Sequence, residues 1–447
     1  MKLFALAAIA IYTLPALGQT SSGSILLQDV RLIDGTGAAP KDHASILIEN
    51  GRISQVFTGT NVALRDPNAQ VLKLSGKTVI PGLINAHGHL GLTQGTSVSA
   101  AEYTPENITR QLAQYERYGV TTVMSLGMNK DLLYQLRSEQ EKGDLGGPTI
   151  LTADRGIGTP GGVPAVQVGP DQIYRPATPE EARADVREMA QRAPNLIKVW
   201  VDDNLHKLPD PKPAVYAAAI DEAHKQHLRV AAHVFYLADA KRLLQDGVDI
   251  LAHSIRDQEI DPETVSLIKS KKVYYIPTLQ LEESFFVYGG HSAWMDTPFF
   301  KNAMDPELAE ILGSASYKQG VQRDKTTPIH KAALQTAMMN IARLRDAGAG
   351  DLIAFGTDSG ANPFRIHGFA EHRELQLMVQ SGMTPLEAIH AATAVNAQML
   401  HMSEKTGSIE VTKQADLIVL DGDPSLDIAN TEKINMVFYK GQQVKTQ

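Results

Sequence analysis

The chain has 447 residues, of which 43% are hydrophobic and 21% charged, and a formal net charge of −8 at pH 7. These values are typical of a soluble globular enzyme and argue against nucleic-acid binding, which needs a basic patch. The chain contains no cysteine, so disulfides are excluded and any metal site must use nitrogen and oxygen ligands.

Residues 1–18 have the pattern of a signal peptide. Lys2 provides a positive start, an apolar stretch follows, and the small residues Ala16 and Gly18 mark the expected cleavage site. A membrane anchor is the alternative, but Pro15 interrupts the stretch, which is short for a membrane span. We therefore predict export to the periplasm or the medium, with no stable membrane insertion after cleavage.

Residues 19–80 and 404–447 both predict short β-strands. Asn50 and Gly51 are typical of a hairpin turn within the first of these segments. Neither segment has enough strands to bury its own apolar face. We therefore expect the two segments to pack together as one small composite β-sandwich built from both ends of the chain.

Residues 81–403 alternate strand and helix patterns. Eight strand-like apolar runs begin with VIPGLINAHGHL and end with LIAFGTDSG. Thr178 and Thr384 each begin a helix pattern in which proline follows at once and glutamate comes three residues later, as in a capping box. Eight alternating units predict an α/β fold with a (β/α)8 TIM barrel.

A long insertion follows the seventh strand, at about residues 281–329. Its aromatic residues and the pair Gly289–Gly290 suit a lid over the mouth of the barrel. A contact between copies of the chain in a homo-oligomer explains the same aromatic residues, and the sequence leaves both interpretations open.

Polar side chains close several of the strand-like runs in the barrel region. A buried polar group needs a partner, and a barrel collects the carboxyl ends of its strands on one face, so these side chains can converge on a metal ion. The spacing of His87 and His89 places both imidazoles on one side of a strand, where they can bind the same ion. The candidate ligands are His87, His89, Lys198, His233, His253 and Asp358.

Together these motifs resemble the amidohydrolase superfamily. The resemblance is carried by VIPGLINAHGHL, by the strand-ending His233 and His253, by GTDSG around Asp358, and by the ending ADLIVLDGDP. The most similar branch contains the imidazolonepropionase-like and Xaa-Pro dipeptidase (prolidase-like) proteins. The resemblance implies a distorted TIM barrel with a composite β-sandwich, and one or two divalent metal ions, zinc before others, at the barrel mouth.

The resemblance also implies a role for each candidate ligand. His87 and His89 match the pair that binds the more buried ion, whereas His233 and His253 match ligands of the second ion. Asp358 matches the aspartate that binds the first ion and handles the proton. A helix N-cap is the alternative for this aspartate.

Lys198 matches the lysine that is carboxylated by carbon dioxide and bridges two ions. Burial supports this role, because a buried lysine with a lowered pKa can be neutral, and a neutral amine can capture carbon dioxide. An ion pair with Asp202 or Asp203 is the alternative. In that case we expect a mononuclear site, with His253 free to polarise the substrate. The ligands of that single ion would be His87, His89, His233 and Asp358.

Residues in the loops after the strands are candidates for substrate binding. Arg256 and Tyr236 can clamp a substrate carboxylate, although a pair between Arg256 and Asp257 explains the arginine equally well. His206 and Arg365 are further candidates at the barrel mouth.

We therefore predict a metal-dependent amidohydrolase that cleaves a C–N bond by attack of a metal-bound hydroxide. Asp358 and His253 are the candidate catalytic residues, for proton transfer and for polarising the carbonyl. The predicted substrates are dipeptides or N-acyl amino acids with a free carboxylate. The alternatives are non-peptide, cyclic or xenobiotic amides, such as N-acylated aromatic amino acids, and a catalytically silent binding protein on the same fold.

Overall fold

The computed structural model describes residues 23–59, 62–166 and 168–444. The predicted signal peptide, residues 1–18, lies outside the described residues. Within the described part, no helix combines the length and the apolar character needed to cross a membrane.

Strands and helices alternate through the middle of the chain, and strands predominate at both ends. The strands are β1 (Ile25–Leu32), β2 (Lys41–Glu49), β3 (Arg52–Thr58), β4 (Gln70–Lys73), β5 (Thr78–Pro81), β6 (Leu83–Gly88), β7 (Thr93–Gln94), β8 (Ser97–Val98), β9 (Val120–Ser125), β10 (Thr149–Thr152), β11 (Ile197–Val201), β12 (Val230–Val234), β13 (Ile250–Ala252), β14 (Tyr274–Ile276), β15 (Leu417–Leu420), β16 (Ile434–Tyr439) and β17 (Gln442–Gln443). The helices are α1 (Pro105–Arg117), α2 (Leu132–Lys142), α3 (Pro179–Gln191), α4 (Pro213–Lys225), α5 (Leu237–Asp246), α6 (Pro262–Lys271), α7 (Leu279–Ser284), α8 (Pro298–Lys301), α9 (Pro306–Gly313), α10 (Ala315–Arg323), α11 (Thr327–Asp346), α12 (Phe369–Gln380), α13 (Pro385–His390) and α14 (Asn396–Met399).

Both ends of the chain contribute to one β-sheet. Among the described residues this sheet has eight strands in the order β17-β16-β15-β5-β1-β2-β3, with β4 paired to β1. The predicted hairpin turn connects β2 and β3, and Asn50 adopts the left-handed φ of 50° that such turns require. Leu27, Ile46 and Val419 lie in a shared apolar core. Strands from one end therefore bury apolar surface that the other end alone would leave exposed.

The barrel strands form two parallel sheets. One has the order β10-β9-β6 and the other β11-β12-β13-β14. The segment 353–358 is the eighth barrel strand and joins these sheets, because Ala354 N–H donates to Tyr275 O at 2.9 Å and Ala86 N–H donates to Phe355 O at 3.2 Å. On the opposite side, Asn195 N–H donates to Thr152 O at 2.8 Å.

The described residues form no continuous ladder between the two parallel sheets. Isolated backbone hydrogen bonds close the barrel there instead. The predicted fold class is confirmed as a distorted TIM barrel with a composite β-domain. The predicted capping boxes are also present at the starts of α3 and α13, where Thr178 and Thr384 accept from the backbone N–H of Glu181 and Glu387.

The insertion after β14 packs against the rest of the chain. Trp294 and Phe300 lie 5.0 Å apart between ring centroids, and Phe300 lies 4.7 Å from Phe369 of α12. Tyr288 belongs to the same buried apolar cluster. These internal contacts account for much of the aromatic content of the insertion. Its roles as a lid and as an oligomer contact stay predictions.

Gly356 lies where the eighth barrel strand passes closest to β6. A Cβ atom at this position would lie 2.7 Å from His87 Cβ and 2.8 Å from Ile276 Cγ2. We expect Gly356→Ala to lower the free energy of unfolding by about 1–3 kcal/mol, as overpacking does in a tight core. Urea unfolding measures this change.

Gly313 provides the matched control, because nothing lies within 4 Å of a Cβ built there. We expect Gly313→Ala to leave stability unchanged or slightly increased. Equal stabilities for the two variants would contradict the close approach at Gly356.

Candidate metal centre and cavity

His87, His89 and Asp358 meet at the carboxyl ends of the first and eighth barrel strands. The Nε2 atoms of His87 and His89 lie 3.1 Å and 2.9 Å from the same Asp358 oxygen, Oδ1. All three side chains are buried. Among the described residues, these are the three whose ligand atoms all lie within 4.8 Å of one another. Two imidazole nitrogens and a carboxylate oxygen at such spacing suit a divalent cation.

His253 and His233 extend this group across the barrel. The ring of His253 lies 4.5 Å from that of His87 and 4.3 Å from that of His233, between centroids. Thr278 Oγ1 hydrogen bonds with Nδ1 of His253 at 2.7 Å, and Nε2 of His233 donates to Asp202 Oδ2 at 2.7 Å. Each imidazole is therefore oriented by a second residue, as is common for metal-ligating histidines.

Burial and nearby charges set the ionisation of this group. Burial lowers the pKa of His87 and of His253, and lowers that of His233 against the opposing hydrogen bond from Asp202. These imidazoles are therefore neutral near pH 7, which is the form that binds metal.

The pKa of Asp358 moves in the opposite sense from that of an isolated buried carboxyl. Burial alone would raise this pKa, but the guanidinium of Arg365 and the imidazoles of His87 and His89 outweigh burial and hold it well below its usual range. Asp358 is therefore an anion beside the neutral imidazole of His87. The predicted N-cap alternative is not observed, because the next helix, α12, begins at Phe369 and Gly368 is its N-cap residue.

Lys198 is the second residue of β11, and its side chain is fully buried. Asp202 is bound to His233, and Asp203 to His206 and Tyr236, so neither forms the alternative ion pair predicted for Lys198. Its Nζ has no hydrogen-bond partner in the described part of the chain. Burial lowers the pKa of Lys198 to about 7, with Asp358 opposing. A substantial fraction of the amine is therefore neutral near pH 7.

Three nitrogens of the centre are buried without a hydrogen-bond partner. They are Nζ of Lys198 and the Nδ1 atoms of His87 and His89, within the described part of the chain. A nitrogen buried in this way carries a desolvation cost of about 1–3 kcal/mol. The Nε2 atoms of the two histidines, which face one oxygen of Asp358, form a donor set that fits a divalent cation.

Two residues of the centre have strained backbones. Asp358 has a φ of 59° and His253 a φ of 93°, and Thr278, which contacts His253, has a φ of 48°. Non-glycine residues in this region cost about 1–3 kcal/mol each and cluster at functional sites. The fold stabilises these unfavourable conformations at the position where the ligands converge.

A cavity of about 350 Å³ opens above the centre. Its polar floor contains His89, His233, His253 and Asp358. Its walls are mainly apolar and come from several loops and from the insertion. The wall residues include Met128, Val163, Pro164, Val166, Trp200, Leu205, Phe235, Leu281 and Phe285.

Arg256 and Arg365, both predicted to bind substrate, line this cavity. Arg365 forms an ion pair with Asp358. Arg256 lies 3.1 Å from Glu282, measured from Nη1 to Oε1, and its alternative partner Asp257 instead accepts the backbone N–H of Leu237. The predicted pair between neighbours is therefore not formed.

Tyr236 and His206, the other predicted substrate residues, do not line the cavity as the structure describes it. Tyr236 donates to Asp203 Oδ1 at 2.8 Å. His206 lies 2.6 Å from the other oxygen of Asp203, stacks on Tyr236, and has 78% of its side chain exposed. The structure places these residues in a polar cluster beside the mouth.

Sequence reasoning missed several residues that support the centre. Asp202 directly follows β11 and Thr278 lies two residues after β14, so both could have been identified from their positions. Glu282 and His330 lie on helices and carry no local signal, yet Glu282 accepts from His330 Nδ1 at 2.7 Å and His330 stacks on Phe285 in the cavity wall. Their association depends on long-range packing.

The sequence profile of the amidohydrolase family matches residues 78–444 of the chain. The chain belongs to this family. It is 29% identical to the ochratoxinase of Aspergillus niger over 259 residues, which cover 56% of the chain and 45% of that protein. It is 23% identical to the imidazolonepropionase of a Geobacillus species over 414 residues, 85% of the chain and 84% of that protein. Relatives of uncharacterised activity from Mycobacterium tuberculosis match over 63% of their length, so the chain spans less than two thirds of several curated relatives.

The fold is shared with known hydrolases. A Xaa-Pro dipeptidase crystallised with methionine in its active site matches with a TM-score of 0.76 and 26% identity, covering 95% of the chain and 100% of that structure. The predicted resemblance to the amidohydrolase superfamily is thus confirmed. Members of the superfamily generally bind divalent metals, and the group of His87, His89 and Asp358 provides a suitable position.

We expect the apoprotein to take up zinc at this centre. His87→Ala should retain little zinc after dialysis, because it removes one of the imidazoles that face Asp358 Oδ1. Metal analysis by atomic emission measures the content. His224, which is partly exposed and paired with Asp249, provides the control, and His224→Ala should retain the wild-type amount. Equal zinc contents in the two variants would contradict the assignment.

Proposed function

We propose that the protein is a metal-dependent hydrolase of amide C–N bonds, acting on N-acyl amino acids and dipeptides with an apolar acyl part and a free carboxylate. The observation that carries the proposal is the convergence of neutral imidazoles and ionised Asp358 at the floor of an apolar cavity. The family and its hydrolase neighbours support a hydrolase acting on C–N bonds. We further propose that the protein is exported.

His87, His89 and Asp358 would hold one ion, and His233, His253 and carboxylated Lys198 a second. When bound, the metal polarises the amide carbonyl and lowers the pKa of water. The protein's own groups supply the remaining functions.

Asp358 is the proposed proton carrier. As a carboxylate it can accept the proton of the attacking water and later donate it to the leaving nitrogen. Arg365 keeps Asp358 ionised, which makes it available as a base but weakens its basicity. His253 lies on the cavity floor between His87 and His233, where it can face the substrate carbonyl.

Arg256 is the proposed site for the substrate carboxylate. It is buried against the cavity, where its Nη1 lies 3.1 Å from Glu282 Oε1 and its Nε has no hydrogen-bond acceptor in the described residues. A substrate carboxylate in the cavity can accept a charge-assisted hydrogen bond from this Nε. The apolar walls, which include Trp200 and Phe285, would contact the acyl part.

A second candidate is hydrolysis of non-peptide, cyclic or xenobiotic amides that lack a carboxylate. Glu282 favours this candidate, because its charge lies 3.1 Å from Arg256 and already neutralises it. The similarity to a protein named ochratoxinase also supports this candidate.

A panel of dipeptides and N-acyl amino acids, each paired with its carboxamide counterpart, tests the proposal. We expect the zinc-loaded protein to cleave the carboxylates, to lose activity with a chelator, and to regain it with zinc. Cleavage of the carboxamides at equal or greater rates would favour the second candidate. An intact panel would refute hydrolysis of these substrates.

The variant Arg256→Lys, assayed on the same panel, tests directly whether Arg256 binds the substrate carboxylate. We expect KM for carboxylate substrates to rise roughly tenfold or more, since hydrogen bonds to charged groups contribute about 1.5–3 kcal/mol. The KM for the paired carboxamides should change little. Equal effects on both series would show that Arg256 does not bind the carboxylate.

We also propose that Lys198 is carboxylated in the working protein. The neutral amine, buried and without a hydrogen-bond partner in the described residues, would attack carbon dioxide and lose a proton, which gives a carbamate with two oxygens that can bind metal. Protein incubated with 13C-bicarbonate should show a carbamate carbon signal by NMR that Lys198→Arg lacks. Lys225, an exposed lysine paired with Asp221, supplies the control variant Lys225→Arg, which should keep the signal. A signal that persists in Lys198→Arg would contradict the proposal.

A further inference from the structure

Glu371, on α12, lies behind the metal centre and outside the cavity lining. It is fully buried and accepts four hydrogen bonds. Its Oε1 accepts from Asn85 Nδ2 at 2.8 Å, Thr357 Oγ1 at 2.6 Å and Ser359 Oγ at 2.8 Å. Its Oε2 accepts from the backbone N–H of Gly368 at 2.7 Å. Three side chains thus converge on one carboxylate oxygen.

The donors to Glu371 flank the candidate ligands. Asn85 lies two residues before His87, and its Oδ1 accepts the backbone N–H of His87 at 3.0 Å. Thr357 and Ser359 lie on either side of Asp358. Oε1 of Glu371 therefore connects the strand that carries the histidines to the segment that carries the aspartate.

This connection crosses a seam of the barrel that has no continuous ladder among the described residues. Between β6 and the eighth barrel strand, the described residues form an isolated bridge and separate backbone hydrogen bonds instead of a continuous ladder. Tyr115 adds a further contact, with its hydroxyl 2.5 Å from Ser359 Oγ. Side-chain hydrogen bonds therefore act together with the backbone hydrogen bonds of this seam in fixing the relative position of the histidines and Asp358.

We propose that Glu371 is a positioning residue for the metal centre, and that its Oε1 sets the separation between the first-strand histidines and Asp358. Glu371 contacts neither the cavity nor the ligand side chains, so it acts through Asn85, Thr357 and Ser359. The inference rests on the proposed metal-dependent function.

A carboxylate is specifically suited to this position. Donors approach both oxygens of Glu371, so a glutamine would turn its NH2 group toward at least one of them and leave that donor unpaired. An aspartate would fall short by one C–C bond, about 1.5 Å. Residues that orient metal ligands typically change metal affinity roughly 10- to 100-fold when they are replaced.

Asp416 provides a matched control whose side chain contacts neither the candidate ligands nor the donors to Glu371 through any hydrogen bond in the described residues. It is a buried carboxylate near the composite sheet, and it accepts from Thr406 Oγ1 at 2.9 Å, Gln414 Nε2 at 3.1 Å and Lys440 N–H at 2.8 Å. Asp416→Asn removes the same type of charge from the same type of network. Any general cost of neutralising a buried acceptor should therefore appear in both variants.

The experiment compares Glu371→Gln and Asp416→Asn with the wild-type protein. Zinc affinity is measured by competition with a chromophoric chelator, and ligand geometry by the visible absorption of the cobalt-substituted protein. We expect both variants to lose thermal stability. Only Glu371→Gln should weaken zinc binding roughly 10- to 100-fold, alter the cobalt spectrum and lower kcat more than it changes KM.

Thr357→Val supplies a second variant if Glu371→Gln does not fold. It removes one donor to Oε1 and keeps the side-chain volume, so we expect a smaller loss of zinc affinity and a shifted cobalt spectrum. Wild-type affinity and spectrum in the folded variant would overturn the inference while leaving the metal centre intact. A wild-type protein that binds neither zinc nor cobalt would overturn the proposed function and this inference with it.

Discussion

The seam between the first and eighth barrel strands is the constraint on which the rest of the structure depends. His87 O accepts the backbone N–H groups of both Thr357 and Asp358, at 3.1 Å and 2.6 Å. The same short stretch brings two imidazoles onto one carboxylate oxygen. The contacts that close the barrel therefore also bring the candidate ligands together. Both depend on the close approach of the two strands at Gly356, which has no side chain.

The electrostatics of the cavity follow from its depth. Desolvation keeps the imidazoles neutral, and the ionised Asp358 is stabilised by Arg365. Arg256 is balanced by Glu282, which in turn is bound to His330. The buried charges that line the cavity are thus arranged in two ion pairs, Arg365 with Asp358 and Arg256 with Glu282. Charges held in fixed positions in a buried site interact more strongly with charge that develops in a substrate than they would in water.

Much of the fold could be predicted from the sequence, because the alternation of apolar runs with capped helices is a local signal. The candidate ligands were equally visible, since a histidine or an aspartate at the end of a buried strand is unusual. The local sequence pattern does not show which distant side chains contact these residues. Glu282 and Glu371 lie on helices where their spacing resembles that of any amphipathic helix, and only the packed structure shows that Arg256 and the seam depend on them.

The predictions for Tyr236 and His206 illustrate the same difference. Both follow barrel strands, so proximity to the mouth was a reasonable expectation. Their side chains instead bind Asp203, which lies three residues before His206 in the chain and is brought next to Tyr236 by the packing of two neighbouring barrel strands. Sequence position located the mouth, but the competition among neighbouring polar groups determined which side chains face the cavity.

The pairing of β15 with β5 has a consequence for the order in which the molecule is made. Val79 in β5 is opposite Val419 in β15, and β5 continues through Gly82 directly into the strand that carries His87. A ribosome therefore synthesises the histidines more than 300 residues before the strand that completes the sheet leading into them. Until β15 emerges, β5 has an unpaired edge, and the polar groups of the centre belong to an incomplete structure. The sheet that leads into the centre is therefore completed only after β15 has been synthesised.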